Sequence, residues 1–408
     1  MNKKKLLFLS QAYPYPADGG GKIKTLNSLK TLAKKFDVYA IFISEKNPSK
    51  SELDYIKSLG VYKIKVFFNP GILDSVKDNY LHLFTNFVRL KPHYVFQYTY
   101  KLAFKFINKV INQFVPDIIH IDHINIAQYL PQQKRQTWIL EHHNLEFYLL
   151  WTRFIHSSKL SRKLYLLIES TLTFLFEYKT IRKFDHIFTI SEQERIRSEK
   201  FFNIDNISSQ PLVYKVENIK KIKTKSPNIL FIGGLGWPPN EDAVEWYINT
   251  MFANILKKVP NAEFHIVGNN NPELSKRLPK SKNIILHGYQ KDLTKFLKRA
   301  TIFVLPFRMG GGVRIKSLTA LSSGIPIVST KLGVEGLDLI NKKHYLEANN
   351  ETDFSKQVVK LIKSEKLLCE ISKNQIDYLK NKHSEKENSK WLKEYQKCVN
   401  SAEHIQLS

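Results

Sequence analysis

The residue types best suited to do chemistry gather in one run, GGGVRIKSLTALSSGIPIV, from Gly310 to Val328. Gly310, Gly311 and Gly312 precede Val313 and lead into a helical pattern with Arg314 and Lys316 at its entrance. Arginine offers a planar fork of donors and lysine a point charge, a combination suited to a diphosphate. Backbone amides at a helix entrance also favour an anion, and glycines let it approach closely. A second triplet, Gly19, Gly20 and Gly21, stands before another helical pattern in SQAYPYPADGGGKIKTLNSLKTLAKKF. One triplet alone reads equally well as a tight turn. Two glycine-rich helix entrances, each with cations beside it, favour phosphate.

Three further groups hold ionisable side chains at predicted strand ends. His142 and His143 are followed by Glu146 and Arg153. Asp122 and His123 have the types of a metal or acid–base pair, but groups placed so more often pack a loop, and that reading is preferred. Ser191 with Glu194 three residues on reads as a capping box, and Glu335 in Gly-Val-Glu-Gly as a helix cap.

The elements that must position these residues alternate regularly. Short apolar runs read as buried strands at 5–9, 38–43, 62–67, 118–121, 138–141 and 186–190, then at 228–232, 263–267, 284–287, 302–305 and 327–329. Helical patterns fill the gaps at 22–35, 51–59, 98–114, 163–183, 192–202, 242–258, 293–298 and 316–323, and the tail from 353 reads as helical. That alternation predicts an α/β protein of two Rossmann-like, doubly wound parallel-sheet domains facing across a cleft. A polar, lysine-rich stretch from about 206 to 226 reads as the connection. The division is 1–210, a linker at 211–226, a second domain at 227–385, and a tail at 386–408 that could cross back to the first domain. Ligands of such sheets bind beyond the carboxyl ends of the strands, where the residues above fall.

Composition sets outer bounds. The 408 residues are 43% hydrophobic and 25% charged, the balance of a globular chain too long for one ordinary core. Two cysteines, Cys369 and Cys398, exclude a disulfide framework and a cysteine-built zinc site, and fit a reducing, cytoplasmic setting. The formal charge of +26 is consistent with anionic substrates, an anionic membrane or nucleic acid. The cations are scattered and form no basic arm, so nucleic acid is not expected as a partner. No run is long and apolar enough to span a bilayer. The stretch 98–114 sets Tyr100, Phe104 and Ile107 on one helical face near Lys101, Lys105 and Lys109. Such a helix could lie on the anionic inner face of the plasma membrane, although packing of the same face on a sheet is the preferred reading.

The second half, through FIGGLGWPPNEDAVEW, PNAEFHIVG, IILHGYQKDLTKFLKRATIFVLPF and GGGVRIKSLTALSSGIPIVSTKLGVEGL, resembles the nucleotide-sugar-binding half of the retaining family-4 glycosyltransferases with the GT-B fold, over roughly 228–340. The first half matches more loosely, at its opening glycine loop, at VPDIIHIDHINIAQYL, at ILEHHNLEFYLLWTRF and at FDHIFTISEQE. The resemblance implies a hexosyltransferase that moves a sugar from a nucleotide-diphosphate donor to a saccharide acceptor, lipid-linked in surface polysaccharide assembly, with anomeric retention and neither metal nor cofactor. By the same resemblance Arg314 and Lys316 bind the diphosphate and stabilise charge developing on it. Gly310 to Val313 line sugar and phosphate, and Gly20 and Gly21 close on the phosphates. His143 reaches the donor sugar, and Gly268 and Tyr289 belong to the donor side.

One position departs. The family helix carries a glutamate for the ribose hydroxyls where this chain has Thr319, and often another where it has Gly311. A subgroup with this type of glycine loop commonly lacks the earlier acid. A threonine at 319 offers one neutral hydrogen bond in place of a charge-assisted pair. The alternative is therefore a catalytically degenerate GT-B protein that binds glycan or stabilises a partner. An epimerase on the same fold would need cleft carboxylates that the sequence does not place.

Overall fold

The computed structural model describes residues 3–17, 19–69, 91–157, 159–210, 212–217, 219–222, 224–310 and 313–407, with no side-chain description for 402–407. Gly311 and Gly312, predicted to line the donor, lie outside the described residues. The chain divides into two units, Met1–Leu212 with Glu385–Ser408, and Val213–Ser384.

The first unit is built on a seven-stranded parallel sheet: β1 (Lys5–Ser10), β2 (Asp37–Ser44), β3 (Lys63–Phe68), β4 (Ile118–Asp122), β5 (Thr137–His142), β6 (His186–Thr189) and β7 (Ile207–Ser209), in the order β3-β2-β1-β4-β5-β6-β7. Between strands run α1 (Gly20–Leu32), α2 (Lys50–Ser58), α3 (Lys101–Phe114), α4 (Glu146–His156), α5 (Leu160–Ile181) and α6 (Glu192–Phe202). Side chains alternate across a strand, so β1 sends Leu7 and Leu9 into one core and Leu6 and Phe8 into the other. The first core is closed by Ala103, Ile107, Val110 and Ile111 of α3. The second is closed by Leu29 and Leu32 of α1 and by Trp391, Tyr395 and Val399. Helix α2 begins with a full capping box of Ser49 and Glu52.

The second unit carries a six-stranded sheet, all of whose pairings are parallel: β8 (Asn228–Ile232), β9 (Glu263–Val267), β10 (Ile284–Leu286), β11 (Ile302–Leu305), β12 (Ile327–Ser329) and β13 (Leu346–Glu347), in the order β10-β9-β8-β11-β12-β13. Its helices include α7 (Pro238–Trp246), α8 (Ile315–Ser322), α9 (Glu351–Ile362) and α10 (Glu365–Lys382). In both sheets the order reverses beside a central strand, β1 in the first and β8 in the second, which leaves a crevice at the strands' carboxyl ends. The final helix, α11 (Glu385–Leu407), belongs to the first unit: Trp391, Tyr395 and Val399 recur at every fourth position and fill its second core.

Two features differ from the sequence reading, and on α3 the structure agrees with the preferred one. Helix α4 falls where no helix is expected, because its aromatic run has no clear polar face. The short strand β7 lies at the start of the polar stretch read as a connection. On α3, the face of Tyr100, Phe104 and Ile107 packs on the sheet, with Ile107 fully buried. That face is not available to a membrane. Among the described residues no helix is long and apolar enough to cross one.

Candidate functional site

In the second unit, β11 ends at the buried Leu305 and α8 starts at Ile315. Arg314 and Lys316 flank that start, and both are drawn inward. Arg314 is 5% exposed, its guanidinium lies over the Phe307 ring at 4.3 Å, and Nη2 donates to the Met309 carbonyl at 3.3 Å. Lys316 Nζ donates to Asn240 Oδ1 at 2.5 Å and sits over the rings of Phe307 and Phe231 at 4.7 and 5.0 Å. Among the described residues neither cation forms an ion pair, and Arg314 Nε has no hydrogen-bond partner. Burial therefore pushes Arg314 down to about 10, only partly offset by the field of Glu335. Burial, then repulsion from Arg314, pushes Lys316 well below its ordinary value. Among the described residues Arg314 has only the field of Glu335 and Lys316 has no carboxylate beside it, so their charged forms are costly to bury unless an anion arrives.

The surrounding glycines make room for these cations. Gly310 has φ +111, and a Cβ there would stand 3.1 Å from Arg314 Nη2. A Cβ on Gly233, just past β8, would lie 2.8 Å from both Lys316 Nζ and Asn240 Nδ2. Gly268 has a different task. With φ +152, its Cβ would fall 2.3 Å from the Gly233 carbonyl oxygen, so it lets the ends of β8 and β9 approach. Tyr289 follows Gly288, whose carbonyl accepts from Gly268 N–H, and it is 59% exposed. Val313 is half-buried at the loop end.

Thr319 is not an open substitute for a carboxylate. It is buried, its hydroxyl bonds the Tyr214 hydroxyl at 2.8 Å, and it donates back to the Ile315 carbonyl at 3.2 Å. Tyr214 arrives from the polar stretch before β8 and anchors its own N–H on the His383 carbonyl.

In the first unit the strand ends bring a second cluster together. Asp122 is fully buried at the end of β4. It accepts from Ser10 Oγ at 2.6 Å, from Thr25 Oγ1 at 2.8 Å and from His143 Nε2 at 2.6 Å, with His123 Nδ1 at 3.2 Å. Burial alone would raise the Asp122 pKa, but the two imidazoles outweigh it and hold it well below the carboxylate range. The rings of His123 and His143 stack at 3.6 Å. Burial, then repulsion from His123, lowers His143, whereas Asp122 overcomes burial to raise His123. His143 is accordingly the neutral partner, donating through Nε2 and leaving Nδ1 as acceptor. Asp122 and His123, read from the sequence as packing groups, pack against His143, and Asp122 also takes the hydroxyls of Ser10 and Thr25. His123 takes φ +79 there.

Gly20 and Gly21 form the first turn of α1, whose N-cap Gly19 supplies no side-chain cap and whose first turn holds no acid. The turn's amides therefore lack a capping side chain. A Cβ on Gly21 would lie 3.7 Å from His123 Nε2, so the glycine turn runs beside the histidines. Behind them, Glu141 binds Lys24 at 2.9 Å, accepts from Ser28 Oγ at 2.9 Å and stands 3.3 Å from His120 Nε2. Burial opposes ionisation of Glu141, yet Lys24 and His120 bring it to about 2. His120 Nδ1 in turn meets Tyr395 Oη of α11 at 3.1 Å. Glu146 shares a small pocket with His123 and His143, and burial, then Glu177, raises it to about 7.

One donor atom each from Asp122, His123 and His143 lies within 4.8 Å of the others, a set that could ligate a cation. The Asp122 oxygens already serve two hydroxyls and an imidazole N–H, so the protein satisfies this carboxylate itself. Ser191 caps α6 by accepting from Glu194 N–H, one half of the capping box the sequence suggests, and the Glu194 carboxylate accepts from Leu145 N–H; Glu335 faces Arg314 electrostatically.

Residues 226–364 match the family described as Glycosyl transferases group 1. A sucrose-phosphate synthase from Thermosynechococcus elongatus superposes with a TM-score of 0.69 over 98% of this chain and 100% of its own, at 13% identity. The fold is GT-B. The crystal structure of a S. aureus TarM mutant, in complex with fondaparinux, alpha-GlcNAc-glycerol and UDP, gives a TM-score of 0.68 at 13% identity, covering 97% of this chain and 100% of that one. A 44.6 kDa protein in the cps region of Klebsiella pneumoniae is 24% identical over 394 residues, 94% of this chain and 97% of that protein.

Proposed function

We propose that this chain is a retaining GT-B hexosyltransferase of family 4 that moves a sugar from a nucleotide-diphosphate donor to a saccharide, lipid-linked in surface polysaccharide assembly. The observation that carries the reading is the buried pair Arg314 and Lys316 at the entrance of α8, which forms no ion pair among the described residues. A diphosphate supplies the two negative charges the pair lacks, and the same contacts strengthen as charge builds on the leaving phosphate. The reading assigns to Gly310 and Val313 the sugar and phosphate contacts, to Gly20 and Gly21 amide contacts to phosphate, and to Gly268 and Tyr289 places on the donor side. His143 serves the transferred sugar as a neutral imidazole held by Asp122. Retention follows if the departing phosphate takes the acceptor proton on the face it leaves. No metal or cofactor is assigned, because the cations already fill the electrostatic role. UDP in the TarM structure and the cps-region setting of the Klebsiella relative support a nucleotide donor and a polysaccharide product.

The ribose side is held differently from the family's usual glutamate. With Thr319 tied to Tyr214, the nucleotide depends on its phosphates more than on its ribose. The test is turnover of a panel of UDP- and GDP-sugars, with the anomer of the first sugar released read by NMR. Consumption of one donor with retained anomer, abolished in Arg314→Ala, supports the reading. Binding of glycan without consumption of any donor sinks it in favour of a non-catalytic subunit.

A further inference from the structure

Helices α4 and α5 pack on each other as a hairpin of the first unit and leave a long apolar stripe uncovered. On α5, Leu160 is 82% exposed and Leu164 59%, followed by Leu167, Leu175 and Tyr178. At about 100° per residue, these positions fall within an arc of about 80° and run for about 27 Å along the helix. Trp151 and Ile155, one turn apart on α4, add to the exposed apolar groups, and Trp151 is braced by the Phe154 ring at 5.0 Å. Monomeric proteins rarely leave such a stripe facing water without a use.

The charge around the stripe selects the partner. Between residues 147 and 183 stand seven lysines and arginines and two carboxylates, Glu169 and Glu177. Both carboxylates are buried: Glu169 accepts from His93 N–H, and Glu177 from the N–H groups of Glu146 and Phe147. Lys159, Lys179, Arg182 and Lys183 are exposed and Lys163 is half-exposed. Among the described residues, the outer surface of the hairpin beyond the half-buried Glu146 at the start of α4 is thus apolar and cationic, with no exposed acid. A second copy of this chain would oppose cation to cation. An anionic lipid surface matches both properties, since leucines and a tryptophan enter the acyl boundary while lysines reach lipid phosphates.

We propose that the α4–α5 hairpin is the face by which this protein docks on an anionic bilayer. It replaces α3, whose apolar face is spent on the core. The proposal stands apart from the transferase reading, because docking is measured without any sugar nucleotide.

The test is co-sedimentation of the full chain with phosphatidylcholine vesicles and with vesicles containing phosphatidylglycerol. The expected result is binding to the anionic vesicles that weakens with salt. It should fall by at least about tenfold in Leu160→Ser/Leu164→Ser/Ile155→Ser and in Lys159→Gln/Lys163→Gln/Lys179→Gln. Should the first variant fail to fold, nitroxide-lipid quenching of tryptophan in the unaltered chain decides instead, with a quenched component lost in Trp151→Phe. Equal binding to neutral vesicles, undiminished binding by folded variants, or a dimer that the serine variant dissolves would overturn the proposal.

Discussion

Replacing Arg314 with methionine should make the ligand-free protein more stable and its nucleotide complex weaker. The Arg314 pKa of about 10, against an ordinary 12.5, corresponds to roughly 3 kcal/mol of unfavourable burial at about 1.4 kcal/mol per unit. The sign follows from proton binding. A base whose folded pKa is depressed weakens the fold at every pH below the folded value, and relief begins only as pH rises through about 10. At neutral pH the full penalty applies. Methionine keeps most of the packing on Phe307 but carries no charge, so a net gain of about 1–2 kcal/mol remains after lost cation–π attraction. The bound state moves oppositely, because each charge-assisted phosphate bond contributes about 1.5–3 kcal/mol. The assay is urea unfolding by tryptophan fluorescence, with and without UDP or GDP. Refutation is specific: a loss of stability in the free variant, with unchanged protection by nucleotide, would mean that Arg314 is a structural residue.

Four other outcomes follow from the same geometry. Gly233→Ala puts a methyl 2.8 Å from Lys316 Nζ and Asn240; nucleotide affinity should drop about tenfold or more, read by calorimetry. Gly268→Ala drives Cβ to 2.3 Å from a backbone oxygen at positive φ and should cost several kcal/mol in thermal unfolding. Asp122→Asn should leave KM nearly unchanged but lower kcat about tenfold or more and displace its pH profile, because the carboxylate that sets the state of both His143 and His123 becomes neutral. Glu146, raised to about 7, favours the fold below its unfolded pKa near 4.5 and loses that advantage as pH rises through about 7. Glu146→Gln should therefore flatten the decline in urea midpoint between pH 5 and pH 8.

The parallel sheets were legible because each strand is a short apolar run bounded by turn residues. The glycine-plus-cation entrance of α8 was legible because its parts are contiguous. What escaped was assembled over distance. Asn240 and Phe231, 76 and 85 positions from Lys316, give no local sign that they floor its ammonium. Asp122 meets His143 only because β4 and β5 are neighbours in the sheet. Tyr214 lies in a stretch whose polarity reads as a linker, yet it closes on Thr319, so the departure at position 319 was visible and its tyrosine partner was not. The exposed stripe of α5 was hidden differently, since period alone does not say which apolar face meets the core and which meets solvent.

The central claim is that the second unit grips a nucleotide by its diphosphate, and titration with UDP against uridine, and with GDP against guanosine, tests it most directly. Two charge-assisted contacts of about 1.5 kcal/mol each predict that one diphosphate binds at least about a hundredfold more tightly than its nucleoside. That ratio should collapse in Arg314→Met/Lys316→Met. Equal affinity for nucleotide and nucleoside, or a ratio that survives the double substitution, would contradict it.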